Sequence, residues 1–176
     1  MLFSEIVIAG CGNPLFADDG FGPAVIEEMQ KQVEMQELTL PDNVTLIDAG
    51  LGGPHFVFTL LDPEVTRQLV IIDTVDFGAK PGEITKLRVE DLPPGSYRDA
   101  HSWDLTEPLH RLKDDIHITV IGCQPKRVSS PEFELGLSDE VTKAIPKTIR
   151  IVLETVGVKY GTTIKCLQER RSAEIS

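Results

Sequence analysis

Four acidic side chains and one histidine stand where a chain of alternating strands and helices would expose them for chemistry. Asp18 and Asp19 follow the apolar run EIVIAG, Asp48 comes near the end of VTLIDA, Asp73 lies inside LVIIDTV, and His101 sits in the loop sequence DAHSWD. A carboxylate within so apolar a run as IIDTV needs a metal, a hydrogen-bond donor or a raised pKa. It also suits an Asx-turn or cap aspartate at a strand edge. Asp18 and Asp19 have a similar second reading, as caps or dipole partners of the helix that follows, and a loop histidine is commonly just solvated. One imidazole converging with two carboxylates would nonetheless form a three-ligand site for a borderline divalent ion, with coordination positions left open. His55, His110 and His117 lack such acidic companions and read as surface or packing residues. Trp103 and Leu105 read as anchors of the His101 loop.

Other chemistries find less support. Gly10-Cys11-Gly12-Asn13-Pro14-Leu15 begins like a dinucleotide-binding turn but lacks the third glycine. Pro14 has no N–H to offer a pyrophosphate, and Asp48 comes too late to be the ribose-binding acid. There is no GxSxG elbow, Walker A sequence or HExxH helix. Cys11, Cys123 and Cys166 form no CxxC pair, and three cysteines do not suggest a disulfide framework, so they read as reduced thiols.

The elements that must position these residues follow an α/β order. Strands are predicted over 5–10, 44–49, 69–75 and 116–122, all apolar and β-branched as in a buried parallel sheet. Residues 84–89 alternate as an edge strand does. Val25, Ile26, Met29 and Val33 recur at helical spacing over about 22–36, with Pro23 in the first turn. Residues 55–61, lying between two strands, favour a short helix, and a further helix is predicted over roughly 104–113. Ser138 reads as the N-cap of a closing helix that runs to about Val156, ends at Gly157 and kinks at Pro146. The expected architecture is a three-layer α/β fold, a mostly parallel twisted sheet of about five strands with helices on both faces. Ligands of such sheets bind at the carboxyl ends of the strands, where the winding changes direction.

The 176 residues suit one domain, predicted over 1–160, with a polar tail over 161–176. A formal charge of −11 without a basic patch argues against nucleic acid. No apolar run approaches membrane-spanning length. The opening residues read as a first strand and not a signal peptide, so the expected location is cytoplasmic.

The ordered motifs resemble one family. GCGNPLFADDGFGPAVIEEM, LIDAGLGG, LVIIDTVDFGAKPGEI, AHSWDL and ITVIGCQPKRVSSPEFELGLSDEV are together similar to the hydrogenase maturation proteases, and they cover residues 5–156. The first of them looks most like archaeal members that serve the deazaflavin-reducing nickel–iron hydrogenase. The resemblance implies an endopeptidase that trims the C-terminus of a nickel-loaded large-subunit precursor. It places the metal-contacting, catalytic positions on Asp19, Asp73 and His101, and a substrate-binding loop on Asp48, Gly50 and Gly52. Nickel would arrive with the substrate, and no tightly bound cofactor of the protein's own is expected. Most bacterial members carry Glu where this chain has Asp19, so either the loop moves inward or Asp18 shares the role. No serine or cysteine nucleophile stands out, which fits direct attack by water. The alternatives are a nickel-sensing chaperone that does not cut and, further off, a nucleotide-binding oxidoreductase.

Overall fold

The computed structural model describes residues 4–50, 52–91 and 110–159, apart from the side chains of Pro54 and His55. Five strands, β1 (Ile6–Cys11), β2 (Val44–Gly50), β3 (Gln68–Thr74), β4 (Ile84–Arg88) and β5 (His117–Cys123), form one sheet in the order β2-β1-β3-β5-β4. The first three and β5 are parallel, while β4 pairs antiparallel with β5 along the outer edge. Its alternating sequence is that of a strand covered on one side only.

Alternation within each inner strand sends side chains to opposite faces. Ile8, Val70, Ile72, Ile121 and Cys123 pack under helices α1 (Phe21–Glu34) and α3 (Asp139–Thr155). Val7, Ala9, Leu69, Ile71, Ile118 and Val120 face the other way, toward Val57 of the short helix α2 (Gly53–Phe58). The predicted three layers are therefore present, and residues 55–61 resolve largely as helix. Of the helix expected over 104–113, residues 110–112 are helical and the remainder lies outside the described residues, as does the predicted tail. Pro146 lies within α3 without ending it. Among the described residues no helix is long and apolar enough to cross a membrane.

The winding changes direction between β1 and β3, since β2 lies on one side of β1 and β3 on the other. Two of the candidate carboxylates are delivered to that place. Asp19 leaves the carboxyl end of β1 through a single 3-10 turn (Asp18–Gly20), and Asp73 is the penultimate residue of β3.

Candidate active site

Backbone packing at the end of β1 brings α1 close enough to aim Asp19. A Cβ built on Gly10 would lie 2.3 Å from the Gly22 carbonyl oxygen, and one on Gly22 would lie 2.2 Å from the Cys11 oxygen and 2.4 Å from the Ile72 oxygen. The first turn of α1 thus rests on the main chains of β1 and β3 with no side chain between them. Gly12 has φ +126°, and a Cβ there would meet the Asp19 carbonyl oxygen at 1.9 Å and sit 3.6 Å from Asp73 Oδ1. Only glycine takes this conformation at this distance. The GCG sequence that suggests a nucleotide turn is explained by these two contacts.

Asp19 and Asp73 are joined through one residue. The Thr74 amide donates to Asp73 Oδ1 at 2.7 Å, and the Thr74 hydroxyl donates to Asp19 Oδ1 at 3.2 Å. Asp19 Oδ2 accepts a further bond from the Asn13 amide at 2.9 Å. The carboxylates are 5% and 6% exposed, respectively, so these donors offset the cost of removing charge from water.

Asp18 has a different occupation. Its side chain is fully buried, and its oxygens accept from the amides of Lys126, Arg127 and Ser138 at 2.9, 2.9 and 2.6 Å and from the Ser138 hydroxyl at 3.0 Å. Every one of these donors comes from the segment after β5. These bonds spend Asp18 on anchoring the segment after β5, whereas the bonds of Asp19 named above come from Asn13 and Thr74. The bonds to Asp18 add to the reading of Ser138 as the N-cap of α3. It occupies the N-cap position of α3, but its hydroxyl makes no cap bond and is spent on Asp18.

Cys123, at the end of β5, is buried, and burial followed by the nearby Asp18 charge pushes its thiol up to about 12. It stays protonated near neutral pH and is no nucleophile.

Asp48 ends up exposed at the end of β2, where its Oδ1 accepts from the Gly50 amide at 2.9 Å. Gly50 in turn accepts from the Gly12 amide at 3.3 Å, which ties this turn to the Asp19 turn. A side chain on Gly52 would collide with Phe56 Cβ at 2.6 Å, so that glycine lets α2 start. Asp48 also borders an open cleft of about 300 Å³ whose walls include Pro14, Glu27 and Leu137. His101 lies outside the described residues. Among the described residues no three His, Cys, Asp or Glu gather closely enough to hold a metal. His117 is exposed at the amino end of β5, away from the carboxylates.

Three positioning residues escape a reading of the sequence. Thr74 and Asn13 hold the carboxylates, and buried Gln124 orders the loop after β3 by accepting from the amides of Phe77 and Ala79 and donating to Asp76. Thr74 follows Asp73 directly, so its type and place were visible, but its hydroxyl partner is 55 residues away.

Two buried carboxylates, donated to by ordered amides and a hydroxyl at the switch point of an α/β sheet, define a polar site suited to acid–base or metal-assisted hydrolysis. The family model for hydrogenase maturation proteases matches residues 23–155. The coenzyme F420 hydrogenase subunit delta of Methanothermobacter thermautotrophicus is 47% identical over 155 residues, covering 88% of this chain and 96% of its own. Among solved structures, a hydrogenase 2 maturation peptidase from a Thaumarchaeota archaeon is 27% identical with a TM-score of 0.62 and coverage of 89% and 100%. A hydrogenase 3 maturation protease, at 24% identity, shares the fold with a TM-score of 0.69 over 85% of this chain and 90% of that one. The chain belongs to the hydrogenase maturation protease family. It is therefore a hydrolase, a protease that acts in processing hydrogenase precursors.

Proposed function

We propose that this protease removes the C-terminal extension of a nickel-loaded hydrogenase large-subunit precursor, and that the nickel held by the substrate is its recognition element. Asp19, Asp73 and His101 complete the coordination of the incoming ion, and Asp48, Gly50 and Gly52 offer the turn against which the substrate segment lies. The observation that carries this reading is the Thr74 bridge, which fixes two carboxylates beside each other at the ligand-binding end of the sheet. Two carboxylates and one imidazole leave coordination positions open on an ion, which suits a site that meets a metal already bound by its substrate. Nickel is then substrate, and the enzyme carries no resident cofactor. A water molecule attacks the scissile carbonyl, activated either by a carboxylate as general base or by polarisation of the carbonyl at the metal. Burial of Cys11 and the raised pKa of Cys123 are in keeping with direct attack by water.

The test is incubation with nickel-loaded and nickel-free precursor, followed by intact-mass analysis. Loss of the extension from the loaded form alone is the expected result. Equal cleavage of both forms removes the metal-recognition mechanism, and binding without any change in mass converts the enzyme into a chaperone.

A further inference from the structure

Of the eight large apolar side chains exposed among the described residues, six lie at one end of the molecule. Leu15 follows β1, Phe56 follows β2, Phe77 follows β3, and Val128, Phe133 and Leu135 follow β5. Val33 and Met35, at the end of α1, are the other two. The six therefore occupy the segments that leave the carboxyl ends of four parallel strands, the same end that carries Asp19, Asp48 and Asp73. Phe133 and Leu135 are each 76% exposed, well beyond the others. They are nonetheless not on a loose loop. Phe133 stacks on Phe16 with ring centroids 5.9 Å apart, the Ala17 amide donates to the Glu134 carbonyl at 2.7 Å, and the Glu134 amide donates to the Leu15 carbonyl at 2.8 Å. Asp18 fixes both ends of the segment through Lys126, Arg127 and Ser138.

Charge on these segments is lopsided. Lys126 is paired with Glu140 and Arg127 with Glu134. Asp48, Asp76, Glu83 and Glu132 are exposed and enter no ion pair among the described residues, and Lys80 is the cation left to set against them. An apolar rim held rigid around buried carboxylates, with an acidic surround, has the composition of a protein-docking surface.

We propose that this end of the molecule is a preformed docking face for the folded precursor, and that Phe133 and Leu135 are its principal anchors. The inference rests on the function proposed above and commits the partner's facing surface to apolar side chains flanked by basic ones. The enzyme then reads a folded protein around the cleavage point, and not the peptide alone.

The test measures the Kd of nickel-loaded precursor for the full-length protease. Phe133→Ser with Leu135→Ser should weaken binding about tenfold or more, as truncation of interface anchors does. Val33→Ser with Met35→Ser, at the other end, should leave it unchanged. Both pairs are exposed, and circular dichroism checks that each variant is folded. Raising the salt concentration should weaken the wild-type complex. Unchanged affinity in the first double variant, or an equal loss in the second, overturns the docking face even if the wild type cleaves. If the wild type does not cleave yet the first double variant still loses binding selectively, the docking face stands and the protease reading of the site falls.

Discussion

Asp18 and Asp19 are neighbours in the chain and leave the same 3-10 turn, yet they serve different parts of the molecule. Asp18 is turned inward and takes four hydrogen bonds from the segment beyond β5. Asp19 is turned toward β3 and takes its bonds from Asn13 and Thr74, beside Asp73. The difference teaches that a buried carboxylate is not by itself a sign of catalysis. What separates the two is whether the donors come from a segment that must be anchored or from the residues next to another carboxylate.

This contrast can be broken by substitution, and the largest effects should fall on the side that faces β3. Asp19→Asn and Asp73→Asn should each lower cleavage of nickel-loaded precursor by about a hundredfold or more, in the range seen when a charge-stabilising group is removed from a site. His101→Ala should do the same if that residue completes the set. An amide at position 19 can still accept from Asn13 and donate to the Thr74 oxygen, so the melting temperature of Asp19→Asn should stay near wild type. A variant of Asp19 that melts early but cleaves normally would put both aspartates in the same structural class.

Asp18→Asn should show the opposite pattern. The amide nitrogen cannot accept, and it would face N–H groups that have lost their partner in the interior. Urea unfolding should report a loss of about 1–3 kcal/mol, the usual cost of an unsatisfied buried donor. Thr74→Val comes next in size. It removes the hydroxyl bond to Asp19 but keeps the amide bond to Asp73, so cleavage should fall about tenfold, the equivalent of one hydrogen bond to a charged group.

A smaller effect concerns pH. The Cys123 thiol is raised from 9.0 to about 12 in the folded state. Above about pH 9 the unfolded chain releases this proton while the folded protein keeps it, so the unfolded state binds fewer protons and stability falls as pH rises toward 12. Comparing alkaline unfolding of wild type with Cys123→Ala isolates this contribution, and the variant should lose stability less steeply. His117→Ala, at the far end of β5, should change neither cleavage nor stability beyond about 0.5 kcal/mol.

How far the sequence reveals this arrangement depends on the range of each contact. β1, β3 and β5 are legible because strands covered on both faces must be apolar throughout, and β4 because an edge strand alternates. Asp19, Asp48 and Asp73 could be placed at one end of the sheet because each follows or ends a strand. The division of labour between Asp18 and Asp19 could not, since the donors to Asp18 are 108 to 120 residues away. Ser138 is the N-cap residue that the sequence indicates, but the partner of its hydroxyl is hidden for the same reason. Its position before α3 is a local signal, whereas the direction of its hydroxyl is set by a carboxylate at the other end of the chain.

The contact between Gly10 and Gly22 bears on how the chain can drift over generations. On the exposed face of α1 one polar residue can replace another without meeting such a main-chain contact. A single methyl group at position 10 or 22 would instead push the helix away from the sheet and carry Asp19 with it. Tolerance to mutation is therefore distributed against intuition. The two positions without side chains are among the least free to change, and lineages that vary widely elsewhere should be held to glycine there by main-chain contact alone.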